Sequence, residues 1–184
     1  MASKIKVDTL ETANGSGTIA LSNQLSGMTT ASLPALGSAQ MPTGSVLQVI
    51  HANKSGFVGT ASDTMVDTGI TANITPSSTS SKILVTVHAS GPYKNATGIE
   101  GAMNMDIVRG STTIHNFAIS NLYTGTAMQN NGTPMSATML DSPSTTSATT
   151  YKVQFKRSSA TGGPSVGINA SGETSTITLM EIQG

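Results

Sequence analysis

A chain of 184 residues with nine basic and nine acidic side chains has no formal net charge. Its few Lys and Arg are scattered, which excludes the concentrated positive footprint of a nucleic-acid binder. The lack of cysteine excludes a disulfide framework and thiolate metal sites, and no apolar run reaches the roughly 18 residues of a membrane-spanning helix.

Charged residues at 10% and aromatics at 3% leave a neutral surface rich in Ser and Thr, while regular apolar alternation provides the burial that folding requires. The length suits one domain plus an extension. The extension is residues 1–43 and the domain is residues 44–184.

The opening MASKIKVDTLE lacks the apolar stretch of a secretory signal, so the chain is expected to be made in a cytoplasm. KIKVDTL alternates Ile5 and Val7 against Lys4, Lys6 and Asp8, and GTIALS offers Ile19 and Leu21. Two isolated strands do not make a stable core in water. Residues 1–43 are therefore expected to wrap around other copies or dock onto a larger assembly, with Ile5, Val7, Leu10, Ile19 and Leu21 as candidate anchor and subunit contacts. LPALGSAQMPTG reads as a connector.

From about residue 44 the pattern becomes short strands of period-2 alternation punctuated by Gly, Pro, Asn and Ser. In chain order the candidates are 45–52, 64–68, 82–89, 102–109, 112–120, 134–140, 150–157, 165–169 and 175–182. They predict an all-β fold, an antiparallel β-sandwich of the jelly-roll type with eight or nine strands. RGST at 109–112 reads as a tight hairpin in which Gly110 takes a positive φ. In TYKVQFKR, Tyr151, Val153 and Phe155 share the buried face and Lys152, Gln154 and Lys156 face out.

SVLQVIHA places Val46 and Ile50 on one face and Leu47 and Val49 on the other, while STITLMEI sets Ile177 and Leu179 against Met180 and Ile182. Both strands read as covered on two faces, although a sandwich covers only one face of each sheet. A neighbouring subunit is the expected cover, with Val46, Leu47, Val49, Leu179 and Ile182 as candidate subunit contacts.

Catalytic and metal chemistry are sparse. His51, His88 and His115 fall in different strands with no ligand spacing around them, and they read as strand-face residues at a rim or interface. Asp63, Asp67, Asp106 and Asp141 match no calcium loop and read as solvated turn carboxylates. There is no nucleophile elbow and no phosphate loop, so no enzyme, cofactor or metal is expected. Six Asn-x-Ser/Thr triplets begin at Asn14, Asn53, Asn73, Asn95, Asn131 and Asn169, at a frequency the Ser/Thr content raises by chance. Met103 and Met105, on one face with Ile107, read as core filling.

Two stretches carry a family resemblance. KIKVDTLETANGSGTIALSNQLSGM followed by LPALGSAQMPTGSVLQVI resembles the N-terminal part of small virion structural and fibre-type proteins of tailed bacteriophages, particularly those of marine cyanobacteria and other marine bacteria. SKILVTVHASG, MDIVRGSTTI, ATTYKVQFKRSS and STITLMEI are similar in order and spacing to the C-terminal jelly-roll modules of such proteins, which are related in shape to tumour-necrosis-factor and C1q-like trimeric heads.

The resemblance implies a homotrimer on the virion, attached through residues 1–43 to other virion proteins such as a tail adaptor, nozzle or capsid protein. Its head would bind a host-surface glycan or protein, or decorate the capsid. The family lends no catalytic residues, and the lack of a long shaft favours a short appendage. The alternative is a carbohydrate-binding module of a secreted bacterial protein. Low aromatic content counts against that alternative, since only Tyr93 and Tyr123 look placed in loops.

Overall fold

The computed structural model of the chain describes residue 37 and residues 40–96, 101–124, 128–158 and 164–184, all within one unit, Gly37–Gly184. Among these residues there is no α-helix. The strands, in chain order, are β1 (Val46–Ser55), β2 (Val58–Thr60), β3 (Val66–Ile74), β4 (Lys82–Ala89), β5 (Tyr93–Ala96) and β6 (Gly101–Arg109). They continue as β7 (Thr112–Thr124), β8 (Met128–Asn131), β9 (Met135–Asp141), β10 (Thr149–Arg157), β11 (Ser165–Ile168) and β12 (Thr174–Ile182).

Two four-stranded sheets form the sandwich, one ordered β1-β12-β4-β9 and the other β3-β10-β6-β7. All pairings are antiparallel and nested: β1 with β12, β3 with β10, β4 with β9, and β6 with β7. A long hairpin rolled in this way into two facing sheets is a jelly roll, so the fold class expected from the alternation is observed.

The inner faces supply the core. Ile83, Val85 and Val87 of β4 and Ile177 and Leu179 of β12 meet Ile70 and Ile74 of β3, Met103, Met105 and Ile107 of β6, and Tyr151, Val153 and Phe155 of β10. Each is nearly or wholly buried, so the methionines fill core as expected and TYKVQFKR presents the face its alternation assigns. Gly110 takes a φ of +59° in the β6–β7 hairpin, as the turn chemistry requires.

Among the described residues twelve strands stand where eight or nine were expected, because each strand of the first sheet breaks at the same level. Past the breaks runs a third sheet, β2-β11-β5-β8, in the order of the first: β2 follows β1, β11 precedes β12, β5 follows β4 and β8 precedes β9. At the crease stand Gly56 and Gly91, with φ of +77° and +51°, and Asn169 at +57°.

Asn169, buried to 1% exposure, ties three of the broken strands together. Its side-chain amide donates to the Lys54 and Gly56 carbonyls at 2.9 and 3.2 Å, its carbonyl oxygen accepts from Ser175 Oγ at 2.7 Å, and its backbone N–H donates to Ser90 O at 2.9 Å. The triplet at this position is therefore structural rather than a surface glycan acceptor.

β3 also departs from expectation, running to Ile74 where the alternation had stopped at residue 68. The cause is a bulge: Lys152 pairs with Thr71 but Gln154 with Asp67, and Gly69 sits in the extra loop at φ +81°.

Two carboxylates expected in solvated turns are instead buried fasteners. Asp141 accepts Arg109 Nη1 at 2.9 and 2.8 Å and Tyr151 Oη at 2.6 Å, joining β9 of the first sheet to β6 and β10 of the second. Burial, and then the bond to Asp141, pushes the Tyr151 hydroxyl far above its ordinary range. Asp106, at 6% exposure, accepts Asn116 Nδ2 at 2.6 Å.

Glu181 is buried at the sheet end, where it accepts from Ser77 N, Ser77 Oγ, Ser81 Oγ and Gln48 Nε2 at 2.6–2.7 Å. Burial pushes its pKa up, but the donors from Ser77, Gln48 and Ser81 outweigh that and hold it below the ordinary value. A depressed folded pKa gives stability that is full above the unfolded value, about 4.3, and is lost as pH falls through the folded one. Glu181→Gln is expected to lower stability at pH 7 by about 1–3 kcal/mol and to reduce the loss of melting temperature below pH 4.5. An unchanged acid limb in thermal denaturation would contradict this assignment.

Candidate functional site

The two sheets turn very different outer faces to their surroundings. On the second, Lys152 Nζ lies 2.9 Å from Asp67 Oδ1, Gln154 Nε2 donates to the same carboxylate at 2.7 Å, and Thr150 Oγ1 donates to Asn73 at 2.6 Å. The Lys152 hydrogen bond, then that of Gln154, holds the Asp67 pKa below its ordinary value. Along β3 and β10 this is a charge-bearing surface whose ions pair with one another.

Among the described residues, the outer face of the first sheet carries no carboxylate. Register lines up Val49, Met180, Leu84 and Leu140 as one row crossing all four strands. The row is partly open, with Val49 at 52% and Leu140 at 51% exposure. On one side of it a shorter row holds Val46, Ile182 and the cation Lys82.

On the other side the face becomes hydroxylic. His51, Thr178, Thr86 and Thr138 form the next row, with His51 Nδ1 2.9 Å from Thr178 Oγ1 and the two threonines Thr86 and Thr138 3.3 Å apart. Beyond it Asn53, Thr176, His88 and Ser136 repeat the pattern, with His51 Nε2 2.8 Å from Asn53 Oδ1 and His88 Nδ1 2.8 Å from Ser136 Oγ. Each imidazole is already oriented by neutral partners on the sheet.

Chemically this is half an interior: an apolar stripe, a ladder of hydroxyls of which Thr178, Thr86, Thr138 and Ser136 bond within the face, and, among the described residues, almost no charge. Depletion of charge around an apolar centre is the compositional mark of a surface that another protein covers. The arrangement has no nucleophile–base pair at its centre. Among the described residues, no group of three or more His, Cys, Asp or Glu is placed to hold a metal ion, and no helix is long and apolar enough to cross a membrane.

The candidate contacts on this domain distribute unevenly. Val46, Val49 and Ile182 lie on the outer face. Leu47 is the extra residue of a β-bulge, since Val46 pairs with Ile182 and Gln48 with Glu181. That bulge turns Val46 onto the face of Val49 rather than that of Ile50, correcting the strict alternation assumed from sequence. Leu179 is fully buried in the chain's own core, where the second sheet covers it. Ile5, Val7, Leu10, Ile19 and Leu21 lie outside the described residues.

Three residues of the apolar row were not singled out in advance. Met180 was visible in STITLMEI as an outward residue, whereas Leu84 and Leu140 are lone apolar positions on polar faces of their strands. Only the β12-β4-β9 register gives them meaning.

No protein-family model matches the chain, and no curated protein matches it. Solved structures do. A structure of infectious bursal disease virus, Gx strain, aligns at 13% identity and a TM-score of 0.39 over 81% of this chain and 42% of the other. The VP2 subviral particle of infectious bursal disease virus aligns at 15% and 0.37, over 83% and 42%. Dimeric latent PorU from Porphyromonas gingivalis aligns at 15% and 0.29, over 78% and 14%. The chain thus spans less than half the length of each, and at these TM-scores the matches carry no argument about what it does.

Proposed function

We propose that this chain is a non-enzymatic structural protein of a bacteriophage particle, a short homotrimeric fibre, knob or decoration appendage. Residues 44–184 form its outward head, and residues 1–43 attach it to a tail or capsid protein. The observation that carries the reading is the charge-poor outer face of β1-β12-β4-β9, whose apolar row is half exposed at Val49 and Leu140 in a single chain. Three copies meeting through this sheet bury the row and leave the charged face of β3-β10-β6-β7 in water.

The trimeric count and the virion location rest on the resemblance of SKILVTVHASG, MDIVRGSTTI and STITLMEI, in that order, to trimeric phage head modules. Attachment through residues 1–43 rests on their two short strands, which need partners from outside the segment. Particles carrying a gold-labelled C-terminus are expected to show label at regular positions on the tail tip or capsid in electron micrographs. Label only in unassembled protein would refute the virion role.

A further inference from the structure

The chain has six aromatic residues, three Phe and three Tyr. Tyr151 and Phe155 are wholly buried and Phe117 packs against the core, yet Phe57, in the crease between β1 and β2, is 56% exposed. Its ring is nevertheless seated. A Cβ on Gly59 would come within 2.7 Å of its Cζ, and one on Gly167 within 2.6 Å of its Cε2. Neither glycine adopts a positive φ, so backbone conformation does not require them.

Glycine inside a strand weakens it and marks a close approach. Here two of them, paired across β2 and β11, admit one ring against the sheet. Tyr93, cross-strand from Gly167 on β5, meets Phe57 edge-on with centroids 5.9 Å apart and planes at 86°. It begins a strand rather than sitting in a loop, and Tyr123 lies within β7.

Among the described side chains of this face, those next to the aromatic pair on β5 and β11 are neutral and hydrogen-bonding. Asn95, exposed, and Ser165 are cross-strand neighbours in the next row beyond Tyr93 and Gly167. The charged neighbour on β5, Lys94, is buried on the opposite side of the sheet. A seated aromatic pair beside an amide and a hydroxyl matches a ligand that has an apolar C–H face and a rim of neutral hydroxyls.

We propose that the outer face of the third sheet is a binding platform for a neutral hexopyranose glycan. One sugar ring stacks on Phe57, with the perpendicular Tyr93 ring at its edge, while its hydroxyls bond Asn95 and Ser165. This rests on the proposed role of the head as the outward part of the appendage and gives it a ligand class. Sedimentation reports assembly and saturation transfer reports the ligand, so the two readings fail separately.

The test is saturation-transfer-difference NMR on the full chain with neutral glucan, mannan and galactan hexamers and with an oligogalacturonate as the acidic control. At least one neutral hexamer is expected to receive saturation on its ring C–H protons. Phe57→Ala is expected to cut that signal at least tenfold, Phe57→Trp to retain it, and Tyr123→Ala to leave it unchanged. Gly59→Val, which displaces the ring without removing it, is expected to weaken it as Phe57→Ala does.

Four results would overturn the proposal: no signal from any neutral hexamer, signal from the acidic one only, an unchanged signal in Phe57→Ala, or a Phe57→Ala protein whose sedimentation changes while its sugar signal does not. The last would make the platform a contact between copies.

Discussion

Val49→Asp combined with Leu140→Asp is expected to convert the proposed trimer into a folded single chain. Both positions are about half exposed in the isolated fold, so a carboxylate at either is solvated there and the jelly roll tolerates it. In an interface formed by the apolar row, each copy would have to bury two unpaired charges, at several kcal/mol apiece. At about 1.4 kcal/mol per tenfold, the dissociation constant is expected to rise by about three orders of magnitude or more. Light scattering gives the mass, and circular dichroism confirms that the strands persist. Loss of strand signal together with mass would show that the row stabilises the chain itself. A fully assembled double variant would place the interface elsewhere.

Asn169→Ala is expected to be the most damaging single substitution at the crease. It removes the amide donor to the Lys54 and Gly56 carbonyls, of which Gly56 keeps only Lys54 Nζ, and the acceptor of the Ser175 hydroxyl, from a side chain that is 1% exposed. It also asks alanine to hold a φ of +57°. Unmade buried hydrogen bonds at about 1–3 kcal/mol each, with about 1 kcal/mol for the left-handed backbone, put the loss at roughly 3–5 kcal/mol. Urea denaturation measures it. Asn169→Gly is expected to recover about 1 kcal/mol by relieving only the backbone. A loss below about 1 kcal/mol for the alanine variant would mean that the crease holds without this residue.

The long strands of the jelly roll were legible because their inner faces alternate over seven residues or more, as in Tyr151, Val153 and Phe155. Strands β2, β5 and β8 were not, since three or four residues such as Tyr93–Ala96 carry no usable period and their role follows from lying past a shared break. The alternation of Thr68, Ile70, Ala72 and Ile74 was hidden by Gly69, which reads as a stop in sequence and is a bulge in space.

The candidate site was half legible. Val49, Met180 and Ile182 announce a second apolar face within their own strands. Leu84 and Leu140 become part of it only through a register that sequence periodicity does not contain. Asp106 and Asp141 were misread for a related reason: a carboxylate looks solvated until the fold brings Asn116, Arg109 and Tyr151 to it.

The most direct test of this account is the mass of the unmodified chain in solution, by sedimentation equilibrium at neutral pH over a range of concentrations. A mass near three times the 18.6 kDa of one chain, independent of concentration, is the expected result. The mass of a single chain at every concentration would contradict the claim that the outer face of β1-β12-β4-β9 is made to be covered by its own copies.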